Sequence, residues 1–114
     1  MPVTIYHNPR CSKSRQTLTL LQEQGIEPAI VEYLNTPPTA AELDRILNML
    51  GIEPEALMRK GESEYKEHFS GRSLSRAETI ALMVQHPKVI ERPIVVTGDK
   101  AAIGRPPESV LAIL

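Results

Sequence analysis

The chain opens on Val3-Thr-Ile-Tyr6, a β-branched and aromatic run closed by His7-Asn8-Pro9, the pattern of a short strand entering a turn. From Ser12 the pattern changes. Leu18, Leu20 and Leu21 sit among good helix formers as far as Gln24, and Gly25 follows as a stop, so a helix is expected with Cys11 at its N-terminus. A second β-rich stretch, Ala29-Ile-Val-Glu-Tyr33, comes after only a few residues. The segment up to Tyr33 therefore reads as a βαβ unit, with two parallel strands and a right-handed crossover.

Pro37-Pro38 interrupts the chain. Thr39-Ala-Ala-Glu42 is then a capping-box pattern, and Leu43, Ile46, Leu47 and Leu50 define one helical face that stops at Gly51. Between Ile52 and Gly71, Leu57, Met58, Tyr65 and Phe69 recur at roughly helical spacing with Gly61 in the way, which predicts short helices. Ser75-Arg-Ala-Glu78 is a second capping box, followed by Ile80, Leu82, Met83 and Val84, and ended by His86-Pro87. Pro93-Ile-Val-Val-Thr97, Gly98-Asp99 and Lys100-Ala-Ala-Ile103 predict a hairpin with a type I′ or II′ turn, Pro93 being restricted to a strand start or edge. Pro106-Pro107-Glu108 opens a last helix expected to bury Val110, Leu111, Ile113 and Leu114. No repeat or linker breaks this order. Residues 1–114 therefore describe one α/β domain, a mixed sheet flanked by helices. The order βαβ, helices, ββα suits a thioredoxin-like sheet with a helical insertion.

Composition narrows the function. A hydrophobic share of 41% excludes an intrinsically disordered chain, and a net charge of -1 argues against nucleic acid as a partner. The charge is unevenly placed, because Arg10, Lys13 and Arg15 precede the first acidic residue, Glu23; a local anion site near the N-terminus follows. No apolar run approaches the roughly 20 residues of a membrane span, and no secretory leader is visible, so no membrane association and a cytoplasmic address are expected. With one cysteine the chain forms no internal disulfide and no zinc site of two cysteines.

That cysteine carries the candidate chemistry. Cys11 lies between Arg10 and Lys13, close to Arg15 and His7, at a helix start whose free N–H groups favour a thiolate. The plain alternative is a buried, inert thiol. In Cys11-Ser-Lys-Ser14 a serine stands where a Cys-x-x-Cys pair would have its resolving thiol. Ser14 can donate a hydrogen bond to the thiolate but cannot close a disulfide, so an external thiol must resolve any covalent intermediate; Ser12 and Ser14 can equally be helix caps. His7 is either a tuning group or a hydrogen-bonded loop residue, and His68 and His86 have no metal-ligand spacing, so no metal site is expected. Arg59, Arg92 and Arg105 would ordinarily be surface charges. Arg92 precedes Pro93 at a strand start and Arg105 precedes Pro106 at a helix start, positions that can converge at one end of a sheet. Guanidinium groups meeting there would form a receptor for a tetrahedral oxyanion.

The segments Ile5-Tyr-His-Asn-Pro-Arg-Cys-Ser-Lys-Ser-Arg15, Leu57-Met-Arg-Lys60, Gln85-His-Pro87, Glu91-Arg-Pro-Ile-Val-Val96 and Gly104-Arg-Pro-Pro-Glu108 resemble the glutaredoxin-dependent arsenate reductase (ArsC) family, in particular its short YfgD-type branch. The motifs run in family order along nearly the whole chain. The resemblance implies a thioredoxin-like fold with a helical insertion and a cis Arg92-Pro93 bond. It also implies Cys11 as nucleophile, Arg59, Arg92 and Arg105 as oxyanion ligands, and supporting roles for His7, Ser14 and Arg15. The implied reaction is reduction of arsenate to arsenite through a Cys11 adduct, with glutathione as cosubstrate, glutaredoxin as reductant, no tightly bound cofactor and a monomeric enzyme. Two features differ from the characterised reductases: Ser12-Lys13 replaces a Gly-Thr pair, and the chain ends at Leu114 without their usual C-terminal extension. Two other readings compete. One is a monothiol glutathione-dependent thiol–disulfide oxidoreductase with another substrate; the other is a polymerase-binding regulator resembling the Spx factors, whose usual Cys-x-x-Cys switch Ser14 removes.

Overall fold

The computed structural model describes residues 2–114, which fall into two compact units. The first comprises the chain up to Thr36 together with Arg92–Leu114, and the second is Pro37–Glu91.

In the first unit, β1 (Val3–His7), α1 (Ser12–Glu23), β2 (Ala29–Glu32), β3 (Ile94–Thr97) and β4 (Lys100–Ile103) follow the expected order. The sheet runs β2-β1-β3-β4. β1 and β2 are parallel, as the α1 connection permits, whereas β3 is antiparallel to both β1 and β4. This is the expected thioredoxin-like arrangement with its sequence-central segment inserted between β2 and β3. Alternation along β1 puts Ile5 and His7 on one face and buries both. Ile5 joins Leu21, Val95 and Val110 in a fully buried cluster, so His7 lies at the end of β1 that leads to Cys11.

Gly98 adopts φ +60° while no non-glycine residue among those described has positive φ, so the hairpin turn is type II′. The last helix, Pro107–Ile113, is a 3-10 helix. Its three-residue period explains a departure from expectation: Val110 is buried and Ile113 packs against the same cluster, whereas Leu111 and Leu114 face outward. The Arg92-Pro93 bond is cis, as the resemblance implies, and so is Arg105-Pro106, which the sequence did not signal.

The second unit holds α2 (Ala40–Leu50), α3 (Ser63–His68) and α4 (Arg76–Gln85), with 3-10 turns at Pro54–Leu57 and Pro87–Val89. Both capping boxes form. Thr39 Oγ1 accepts the Glu42 N–H and Glu42 returns the bond to the Thr39 N–H; Ser75 and Glu78 do the same. Leu43, Ile46 and Leu47 on α2 and Ile80 and Met83 on α4 are buried. Met58 bridges Ile90, flanked by hydrogen bonds from Arg59 N–H to Val89 O and from Glu91 N–H to Leu57 O. Among the described residues no helix is long and apolar enough to cross a membrane.

Gly104 controls a tight approach in the first unit. A Cβ there would stand 2.5 Å from Thr17 Oγ1 and 2.7 Å from Pro93 Cγ, and Thr17 is fully buried. We expect Gly104→Ala to destabilise the protein by about 1–3 kcal/mol, the usual cost of forcing a methyl into a packed site. Urea unfolding measures this, and an unchanged midpoint would contradict the packing.

Candidate active site

β1 delivers the chain to a turn in which the Cys11 N–H donates to Asn8 O at 3.0 Å. Cys11 then serves as the N-cap of α1 with extended backbone angles. At this position the sulfur faces the helix N–H groups that have no partner within the helix. Burial pushes the Cys11 thiol up. The Ser14 N–H, the hydrogen bond and charge of the Arg92 guanidinium, and the Lys13 N–H outweigh it, and the thiol ends below its ordinary value. Arg105 reaches the same atom, its Nη2 lying 3.4 Å from Cys11 Sγ while its Nε donates to Arg92 O at 2.8 Å. Two cations at the open end of the β3–β4 hairpin, one before β3 and one after β4, thus converge on one sulfur.

Ser14 is fully buried, but its hydroxyl does not turn toward the thiol as the sequence suggested. Ser14 Oγ lies 2.6 Å from His7 Nδ1 and accepts the Asn8 N–H at 3.0 Å; only its main-chain N–H acts on the sulfur. Neither Ser12 nor Ser14 is the cap, since Cys11 holds that position. Burial lowers the His7 pKa, Glu32 opposes this and Arg15 reinforces it, so the ring is held toward its neutral form. Arg15 donates from Nη1 to Pro9 O at 3.0 Å and closes the loop from the helix side. Arg59 belongs to the second unit, where its guanidinium lies 3.6 Å from Glu62 and 3.5 Å from Glu91. His68 and His86, also there, stack with ring centroids 3.9 Å apart.

A family model described as the ArsC family matches residues 6–113. The chain belongs to the ArsC family. This ArsC chain is 55% identical to the protein YfgD of Escherichia coli, covering 98% of the chain and 96% of that protein. It is 49% identical to an arsenate reductase of Haemophilus influenzae over the full length of both. A solved structure of an arsenate reductase from Vibrio cholerae superposes with a TM-score of 0.95 at 54% identity, covering 100% of this chain and 98% of that one.

Thr17 and Gly104 pack together beside this corner of the ArsC chain, and their contact is not legible in the sequence, where Gly104 stands only within a motif. The buried residues of α1 are Ser14, Thr17 and Leu21, so the stripe facing the sheet begins with two small polar groups. Such a stripe looks like a solvated helix face until their partners are known. Thr17 Oγ1 donates to Lys13 O at 2.8 Å, and Gly104 N–H donates to Pro93 O at 2.9 Å.

Two expectations follow. Arg92→Met should raise the midpoint of Cys11 alkylation against pH by about one unit, a typical effect of removing an adjacent opposite charge; an unmoved midpoint would show that Arg92 does not act on the sulfur. For His7 the folded pKa lies below 6.5, so the unfolded chain takes up the proton first as pH falls. The stability tied to His7 is therefore present above 6.5 and lost as pH drops through 6.5 toward the folded value. Thermal melts from pH 7.5 to roughly 5 should show a shallower acid-side loss for His7→Gln than for wild type; parallel curves would contradict this.

Proposed function

We propose that this chain is a cytoplasmic arsenate reductase that uses Cys11 as nucleophile and glutathione with glutaredoxin as its thiol supply. The observation that carries the reading is the convergence of Arg92 and Arg105 on a cysteine whose thiol is shifted toward the thiolate. A thiolate alone would serve many reactions. Beside two guanidinium groups it suits a tetrahedral oxyanion that must be held and attacked in one place.

In the proposed cycle the Cys11 thiolate attacks pentavalent arsenic, forms an S–As bond and expels one oxygen as hydroxide or water. Arg92 and Arg105 balance the charge of the remaining oxygens, and Arg59 has the same role on the strength of the family resemblance. Glutathione then supplies the second thiol. Arsenic gains two electrons and leaves as arsenite, and the two sulfurs that lose them form a Cys11–glutathione disulfide. Glutaredoxin reduces that disulfide and regenerates Cys11. The chain has a single cysteine, which fits a cycle whose resolving thiols all come from outside.

The test is arsenate-dependent NADPH oxidation with glutathione, glutaredoxin and glutathione reductase, with arsenite measured as product. Wild type should turn over, Cys11→Ser should not, and Arg105→Leu should lose about 10²-fold in kcat/KM, as expected for one lost oxyanion donor. No arsenite from a protein whose Cys11 is readily glutathionylated would overturn the arsenate reading and favour the thiol–disulfide oxidoreductase.

A further inference from the structure

Among the groups around Cys11, Asn8 has no role in the chemistry above, yet it is buried, with 8% of its surface exposed. It makes three hydrogen bonds, all at 3.0 Å, and each ends on a different part of the cysteine loop. Its main-chain oxygen accepts the Cys11 N–H. Its side-chain Oδ1 accepts the Arg10 N–H, and its own N–H donates to the buried Ser14 hydroxyl.

The first two bonds describe nested turns. The bond from Cys11 N–H to Asn8 O spans the four residues of a β-turn with Pro9 second, where its fixed φ is already suitable. The bond from Arg10 N–H to Asn8 Oδ1 is an Asx-turn, which secures the third residue of that β-turn from the side-chain direction. The third bond fastens the start of the turn to the first turn of α1. Ser14 is held at the same time by His7, so strand end, turn and helix start share one small network.

We propose that Asn8 is a positioning residue for Cys11: its side chain locks the turn that aims the sulfur at the N–H groups of α1 and at the guanidinium groups of Arg92 and Arg105. Asparagine suits this role because its acceptor is neutral. Aspartate would make the same Asx-turn but add a negative charge beside the developing thiolate. Alanine leaves the Arg10 N–H without its internal acceptor and frees the turn. The sulfur then samples orientations in which the helix N–H groups do not reach it, and the thiolate is less favoured.

This inference rests on Cys11 being the working nucleophile, and its test runs without arsenate so that the two can fail separately. Alkylation of the full-length protein by iodoacetamide, a neutral probe, is followed against pH for wild type, Asn8→Ala and Asn8→Ser, with thermal melts alongside. Arg92, Arg105, Arg15, Lys13 and His7 stay in place in all three. Asn8→Ala should move the alkylation midpoint up by half a unit or more, slowing the reaction at neutral pH by about threefold to tenfold, since one unit is a tenfold change in thiolate. Asn8→Ser, whose hydroxyl makes the corresponding turn less firmly, should fall between Asn8→Ala and wild type. A purely structural asparagine would lower the melting temperature and leave the midpoint alone. An Asn8→Ala profile that superposes on wild type, or an Asn8→Ser profile no nearer to wild type than alanine, overturns the proposal. Should Asn8→Ala not fold, Asn8→Ser decides: a profile displaced upward supports the role and one identical to wild type removes it. A wild-type midpoint in the ordinary thiol range would remove the nucleophile reading and this inference with it.

Discussion

Gly104 has no side chain, and that sets how closely helix α1 approaches the cis Pro93 corner. Thr17 Oγ1 and Pro93 Cγ stand where a Cβ would be, so the contact admits hydrogen and nothing larger. Close approach requires a helix face without bulk as well, and Ser14 and Thr17 supply it. Both meet the condition for burying a hydroxyl, because each has hydrogen-bonding partners within the same corner. Arg105 follows Gly104 directly, and Arg92 precedes Pro93. The packing that seats the helix therefore also fixes the two cations relative to the sulfur.

The electrostatics of Cys11 depend on that seat. Burial alone would raise the thiol, and a cysteine in an apolar core would be inert. Here the Ser14 and Lys13 N–H groups and the Arg92 guanidinium oppose burial and prevail. Hydrogen bonds with a charged partner are roughly twice as strong as neutral ones, which is why the guanidinium matters to the sulfur beyond the anion-binding role proposed for it. In the proposed cycle the same groups that favour the thiolate would also attract the oxyanion that it attacks.

Much of this was legible in the sequence. The capping boxes at Thr39 and Ser75, the glycine stop after α1 and the Gly98-Asp99 hairpin are local devices, and each formed where its residues stand. Cys11 at a helix start was equally plain, because strand, turn and helix signals lie within a dozen residues. What stayed hidden depends on partners distant in sequence. Thr17 meets Gly104 across more than eighty positions, and Ser14 turns to His7 because the strand end and the helix start are packed together. Leu111 and Leu114, which a last helix burying one face would place inside, point outward because the segment is a 3-10 helix.

In the reading proposed here, one corner of the sheet holds both a nucleophile shifted toward its thiolate and an oxyanion receptor. Sulfate, a tetrahedral anion that forms no adduct, tests it by protection: Cys11 alkylation by iodoacetamide is measured at constant ionic strength and pH as sulfate replaces chloride. A shared site predicts a saturable slowing that is weakened in Arg105→Leu. Alkylation indifferent to sulfate would mean that the arginines and the thiolate do not share a site, and would contradict it.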